Sequence, residues 1–148
     1  MSKYIKFLLQ AIALLSITLG VFSAQAMAKT NIQYEVINDD TLVLSGNGEA
    51  EEAIKYGKEV KKSQIKKLII KEGITKITPL GIGTFESVRE VVLPDSLTEI
   101  GDATFAGYYK LKKVRFGKGL QTIAYLAFAS CISLEEIDIP DSVVEIGA

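Results

Sequence analysis

The chain has 148 residues, enough for one domain with a modest core. With 48% hydrophobic and 24% charged side chains it resembles neither a disordered chain nor a multi-spanning membrane protein. A formal net charge of −1, no histidine and a single cysteine speak against a basic nucleic-acid binder. They also rule out a disulfide framework within the chain and remove the commonest members of zinc and triad sites.

The N-terminus reads as an export signal, residues 1–26. Lys3 and Lys6 form a positive start, Phe7 to Phe22 is nearly all apolar, and Ala24-Gln25-Ala26 supplies the small residues of a cleavage site. Cleavage leaves Met27 as the new N-terminus. It removes two basic side chains and no acidic one, so the net charge falls from −1 to −3. The alternative is an uncleaved membrane anchor, since the apolar run could almost span a bilayer. No cysteine sits at the cleavage site, which speaks against a lipoprotein. Beyond residue 27 no segment is long and apolar enough to cross a membrane. The mature chain is expected to be exported: secreted, periplasmic or on the cell surface.

Residues 27–65 read as an N-terminal cap. Ile32 to Ile37 and Thr41 to Ser45 alternate like two strands, and Asn38-Asp39-Asp40 between them suits a hairpin turn. Glu49 to Gln64 is polar and lysine-rich, with a short helix expected from Ala50 to Tyr56 that Gly57 ends. The lysines at 55, 58, 61, 62, 66 and 67 could attract a polyanion such as a sulfated glycan. With Glu51, Glu52, Glu59 and Glu72 interleaved, a solvated face is the favoured reading.

From residue 66 to 148 one pattern recurs every 23 residues. Leu68, Val91, Val114 and Ile137 keep that interval, as do Ile70, Leu93, Phe116 and Ile139. So do Ile74, Leu97, Leu120 and Val143, and Ile77, Ile100, Ile123 and Ile146. Val88, Leu111 and Leu134 form another column, Phe105 and Phe128 a further one. Within a repeat, Val114-Arg115-Phe116 and Ile137-Asp138-Ile139 alternate apolar and polar, the signature of a short strand with one buried face. Turn signals follow in register: Pro94-Asp95-Ser96, Gly117-Lys118-Gly119 and Pro140-Asp141-Ser142. A single coil cannot bury its own apolar side, but stacked coils share a continuous core. The fold class expected is a repeat solenoid, mainly β, with short parallel strands and phenylalanines stacked inside. The first repeat departs from the pattern. Its phenylalanine comes 8 residues after Ile77, where Phe105 comes 5 after Ile100, so a bulge is expected at Thr78-Pro79-Leu80-Gly81.

The stretch from Val91-Val92-Leu93-Pro94-Asp95-Ser96-Leu97 through Glu99-Ile100-Gly101 to Phe105 resembles the BspA-like leucine-rich repeat of bacterial surface proteins. Ile137-Asp138-Ile139-Pro140-Asp141-Ser142-Val143 repeats that motif, and Phe128-Ala129-Ser130-Cys131-Ile132-Ser133-Leu134 is similar to the family's Phe-x-x-Cys-x-x-Leu return. Residues 33 to 48 are similar to its N-terminal strand pair. The resemblance implies a right-handed leucine-rich-repeat solenoid with an N-terminal β-hairpin cap, exposed outside the cell and used in adhesion and protein recognition. It further implies an extracellular protein ligand, such as a host matrix or plasma protein; an enzyme is the last reading, because no residue cluster motivates one.

No residue cluster points to catalysis, a cofactor or a metal. Ser45-Gly46-Asn47-Gly48 lacks the strand-to-helix context of a phosphate loop. Cys131 has no histidine to activate it and shares a column with Tyr108, as a core thiol would. The acid pairs Asp39-Asp40, Glu51-Glu52 and Glu135-Glu136 are chain neighbours, not groups converging on a substrate. The candidate binding surface is the outward, concave face of the strands: Arg89, Glu90, Val92, Lys112, Lys113, Arg115, Glu135, Glu136 and Asp138. Its column Lys67, Glu90, Lys113 and Glu136 alternates in sign, as a ladder of cross-strand salt bridges would. Ladder and ligand site stand level as readings, and a structural scaffold without a discrete ligand is the alternative to adhesion. Tyr109 and Tyr125 are candidate rim contacts. At the C-terminal end a strand from Glu135 to Ile139 is expected to form an uncapped edge, through which the chain would self-associate or fray.

Overall fold

The computed structural model describes residues 31–51, 54–58 and 60–147. The expected export signal lies outside the described residues. Among the described residues eleven elements follow one another: β1 (Gln33–Ile37), β2 (Thr41–Ser45), β3 (Gly48–Ala50), β4 (Lys67–Ile70), β5 (Ile74–Ile77), α1 (Pro79–Ile82), β6 (Glu90–Val92), β7 (Glu99–Ile100), β8 (Lys113–Arg115), β9 (Thr122–Ile123) and β10 (Glu145–Ile146).

They stack as a β-solenoid of about four coils with two sheets instead of the one that the alternation announces. The first sheet runs β1-β2-β4-β6-β8, the second β10-β9-β7-β5-β3. All neighbours are parallel except β1 and β2, which form the expected antiparallel hairpin. Asn38 and Asp39 adopt φ of 52° and 61° in its turn, a conformation that these two residue types tolerate better than most. The register follows the 23-residue period: Leu68 faces Val91 and Val91 faces Val114, while Ile77 faces Ile100 and Ile100 faces Ile123. The second sheet hides in the sequence because its strands are two to four residues long. Two buried residues three apart, such as Leu97 and Ile100, give no visible alternation.

The core is the set of apolar columns. Leu68, Val91, Ile70, Ile74, Leu97, Ile77, Ile100, Val88, Leu111 and Phe105 are all essentially inaccessible to water. In the last repeat the same columns open, and Phe128, Leu134 and Val143 are only partly buried. Side chains also bind coil to coil. The Glu72 carboxylate accepts from the Asp95 and Ser96 N–H groups at 2.8 and 3.0 Å, and Asp95 Oδ1 accepts from Lys118 N–H at 2.7 Å. Thr104 Oγ1 donates to the Ile77 and Gly101 carbonyls, leaving that buried hydroxyl satisfied.

Three expectations are corrected. Among the described residues from Ala50 to Tyr56 there is no helix: Ala50 closes β3, whose pairing with β5 offers the backbone a ladder, and Ile54 to Lys58 is irregular. No bulge interrupts the first repeat. Ile82, 23 residues before Phe105, fills the phenylalanine column, and Phe85 fills that of Tyr108 and Cys131. The one-turn helix α1, capped by the Thr78 hydroxyl accepting from Gly81 N–H, carries Ile82 inward. Finally, Glu135 to Ile139 is not a strand. It runs beyond β8 without joining the sheet, although β10 in the same coil pairs with β9.

Candidate functional site

The outer face of the first sheet is set by strand alternation. Val91 and Val114 point into the core, so Glu90, Val92, Lys113 and Arg115 must point away from it. Arg89 and Lys112 lie at the entrances to β6 and β8, where their N–H groups donate to the Lys66 and Arg89 carbonyls at 2.7 and 2.9 Å. Six of the nine expected site residues, Arg89, Glu90, Val92, Lys112, Lys113 and Arg115, are therefore brought together on two adjacent strands. Glu135, Glu136 and Asp138 are exposed but lie off the sheet.

Charge on this face is organised around Glu90. Its carboxylate meets Lys67 Nζ at 3.0 Å on one side and Arg115 Nε at 2.9 Å on the other. Burial pushes the Glu90 carboxyl up, but Lys67 and Arg115 outweigh it and hold the group below its ordinary value. The expected ladder is thus real for Lys67 and Glu90 and then turns diagonally to Arg115, bypassing Lys113. Arg115 presents its guanidinium nitrogens as a planar set of donors, which suits a carboxylate two residues out of register on the same face. Among the described residues no ion pair engages Arg89, Lys112 or Lys113, while Lys66 reaches Asp40 only at 3.8 Å.

Beside this row runs an apolar stripe. Val43, Ile69 and Val92 are in register across β2, β4 and β6, Val43 buried and the other two half-buried, and Arg115 ends the row. The Val43 position went unread in the sequence because it precedes the 23-residue columns. A half-buried apolar strip beside unpaired cations is a surface suited to another polypeptide, which can cover the strip and neutralise the rim.

The second sheet carries its own charged row. Lys76 Nζ lies 2.9 Å from Glu51 and 3.1 Å from Glu99, and hydrogen bonds to Glu51 and Glu99 raise its pKa. These groups, with Thr78, Leu80 and Asp102, line an open cleft of about 440 Å³. Glu51 and Glu99 are engaged by Lys76, and Asp102 Oδ1 accepts from the Tyr125 N–H at 3.0 Å. Among the described residues no group of acidic or thiol side chains could hold a metal ion. Cys131 is buried, its Sγ donates to the Phe105 carbonyl at 3.2 Å, and burial pushes the thiol up, the opposite of nucleophile activation. Tyr109 and Tyr125 are about half exposed. Ile132, Val144 and Ile146 leave apolar surface on the last repeat. Among the described residues no helix is long and apolar enough to cross a membrane.

Stacked coils of 23 residues, each placing one short strand in a parallel sheet with a regular apolar interior, define a leucine-rich-repeat solenoid. Residues 84–148 match the family described as "BspA type Leucine rich repeat region (6 copies)", so this stretch is a BspA-type leucine-rich-repeat region. The T. pallidum leucine-rich-repeat protein TpLRR is similar in structure, at 25% identity and a TM-score of 0.56, over 84% of this chain and 54% of that one. A leucine-rich-repeat protein from Eubacterium ventriosum shares the fold at 22% identity and a TM-score of 0.55, over 80% of this chain and 38% of that one. The chain thus spans about half the length of the first and less of the second. No curated protein matches it in sequence.

Proposed function

We propose that the chain is an exported protein-binding module of the adhesion type, and that it binds through the outer face of the β2-β4-β6-β8 sheet. The observation that carries this reading is the set of exposed cations Arg89, Lys112 and Lys113, unpaired among the described residues, beside half-buried Val92. Arg89 and Lys112 occupy adjacent strands, which lie about 4.8 Å apart, and like charges at that distance oppose each other. A ligand with an acidic patch relieves the repulsion and gains speed of encounter from it. The match of residues 84–148 to a leucine-rich-repeat family supports protein recognition in place of catalysis. The ligand proposed is an extracellular protein, such as a host matrix or plasma protein.

The test is binding of the mature chain, residues 27–148, to a panel of purified extracellular proteins and glycans. Reversing Arg89, Lys112 and Arg115 together is expected to weaken binding and flatten its salt dependence, with circular dichroism unchanged. Unchanged affinity would move the site to the second sheet or to the lysines before residue 66. Export is tested separately: N-terminal sequencing of secreted material is expected to begin at Met27, and an intact Met1 form in the membrane fraction would overturn it.

The Lys67–Glu90–Arg115 row favours a second reading, a structural scaffold with no discrete ligand, because those charges already satisfy one another. Failure of every member of the panel to bind would favour it.

A further inference from the structure

The first sheet stops one strand short of what the period sets out. Lys112 N–H donates to the Arg89 carbonyl and Leu93 N–H to the Arg115 carbonyl, each at 2.9 Å. One repeat later the same ladder requires Glu135 N–H on the Lys112 carbonyl and Phe116 N–H on the Asp138 carbonyl. Among the described residues neither bond forms. The other half of that coil is docked: Val144 and Glu145 N–H reach the Gln121 carbonyl at 2.9 and 3.2 Å, and Gly147 N–H reaches that of Ile123 at 2.8 Å. The outer edge of β8 is therefore open at the Lys112 carbonyl and the Phe116 amide.

The charges along this edge point to what fits it. Lys112, Lys113 and Arg115 are exposed. The residues that the repeat sets opposite them are Glu135, Glu136 and Asp138, an acid against a base in every row. Yet no ion pair joins the two sets among the described residues, and Arg115 turns back to Glu90. Ile137, which the register places beside Val114, is only half-buried. An open parallel edge with basic side chains and an apolar position between them is complementary to an extended segment reading acid-apolar-acid.

We propose that the β8 edge is a strand-addition site for an extended acidic segment of a partner protein, which pairs parallel to β8 in the place the repeat reserves for residues 135–139. The chain's own segment has matching charges and is the intramolecular competitor. With no backbone bond holding it to β8, a partner has little to displace. Main-chain bonds to Lys112 and Phe116 supply the pairing, and the cations select acidic sequences over others. The edge shares the Lys112, Lys113 and Arg115 side chains with the outer face, but its main-chain pairing at Lys112 and Phe116 does not rest on the reading given to that face.

The test uses the full chain and a labelled synthetic peptide containing Glu-Glu-Ile-Asp-Ile. Two control peptides accompany it, one with alternate backbone nitrogens methylated and one with lysine in place of each acid. The unmodified peptide is expected to bind saturably and more weakly as salt rises, and both controls to lose at least about tenfold in affinity. Lys112→Glu with Lys113→Glu is expected to lose as much while keeping the circular dichroism spectrum. Arg89→Glu with Val92→Ser, confined to the outer face, is expected to leave peptide affinity unchanged. Independently of any variant, saturating peptide is expected to slow hydrogen exchange at the Phe116 amide. Absence of saturable binding, equal binding of the methylated peptide, equal loss in the outer-face variant, or unchanged exchange at Phe116 would each overturn the proposal.

Discussion

The rings of Phe105 and Phe128, one repeat apart, stack with centroids 5.2 Å apart and planes inclined by 19°. Phe105 is wholly buried and also meets Tyr108 edge-on at 5.4 Å, whereas Phe128 is only partly covered. Removing the buried ring deletes its transfer energy and leaves a cavity between two coils that cannot close on each other. Phe105→Ala is expected to destabilise by about 3–5 kcal/mol. Phe128→Ala, with part of its surface already in water, is expected to cost less, and Lys112→Ala no more than about 0.5 kcal/mol. Urea midpoints in that order support the inward and outward assignment; equal shifts for Phe105 and Lys112 contradict it.

Tyr108 spans two coils. Its ring is buried and its hydroxyl donates to the Gly83 carbonyl at 2.8 Å, while Tyr56 donates to the neighbouring Ile82 carbonyl at 2.8 Å. Burial is the main reason that both phenols are raised far above their ordinary range, which favours the neutral, hydrogen-bond-donating form of each. Tyr108→Phe keeps the packing and leaves the Gly83 carbonyl without that donor. A loss of about 1–2 kcal/mol in thermal or urea unfolding is expected. No loss would show that water replaces the hydroxyl.

The turns after the strands impose a different constraint. Gly117 stands where Pro94 and Pro140 stand in the flanking repeats, and a Cβ on it would run into the Pro94 carbonyl. Gly117→Ala is therefore expected to push two coils apart, at a cost of about 1–3 kcal/mol. Gln121→Ala, on the exposed surface of the same coil, serves as the comparison and is expected to change the melting temperature little.

The period of 23 residues made the coils and the apolar columns legible, because inward positions are apolar in nearly every repeat, and alternation with the Asn38-Asp39-Asp40 turn did the same for the β1–β2 hairpin. The period was less informative where one residue type substitutes for another. Ile82 fills a phenylalanine column, and reading Phe85 in its place made an uninterrupted repeat look bulged. It also announced a strand at 135–139, since Ile137 and Ile139 alternate as their counterparts do. Alternation specifies which side a residue faces, not whether the strand next to it is reached. On the outer face, alternation alone sets Glu90, Val92, Lys113 and Arg115 pointing away from the core. It does not set the diagonal pairing of Glu90 with Arg115, which depends on side-chain reach across the register. The Glu51–Lys76–Glu99 row belongs to the second sheet, whose strands are too short to announce themselves.

The last prediction concerns Glu90 and acid. Its carboxyl lies below the ordinary value of 4.5 in the folded chain, because Lys67 and Arg115 favour the charged form more than burial opposes it. A group depressed by folding contributes stability that is present above its unfolded pKa and is lost as pH falls through the folded one. The contribution of Glu90 is therefore complete at neutral pH, begins to fall near pH 4.5 and vanishes below the depressed value. Glu90→Gln keeps the shape of the side chain and removes the charge. The difference in melting temperature between wild type and Glu90→Gln is expected to be largest near neutrality and to shrink steadily as the pH is lowered from about 5. Because the pair is three-quarters buried on the carboxylate side and exposed on the arginine side, the effect at neutrality should be modest, within about 1 kcal/mol, and should weaken in high salt. A difference that stays constant from pH 7 down to pH 3 would mean that shape, not charge, is what Glu90 contributes to the sheet.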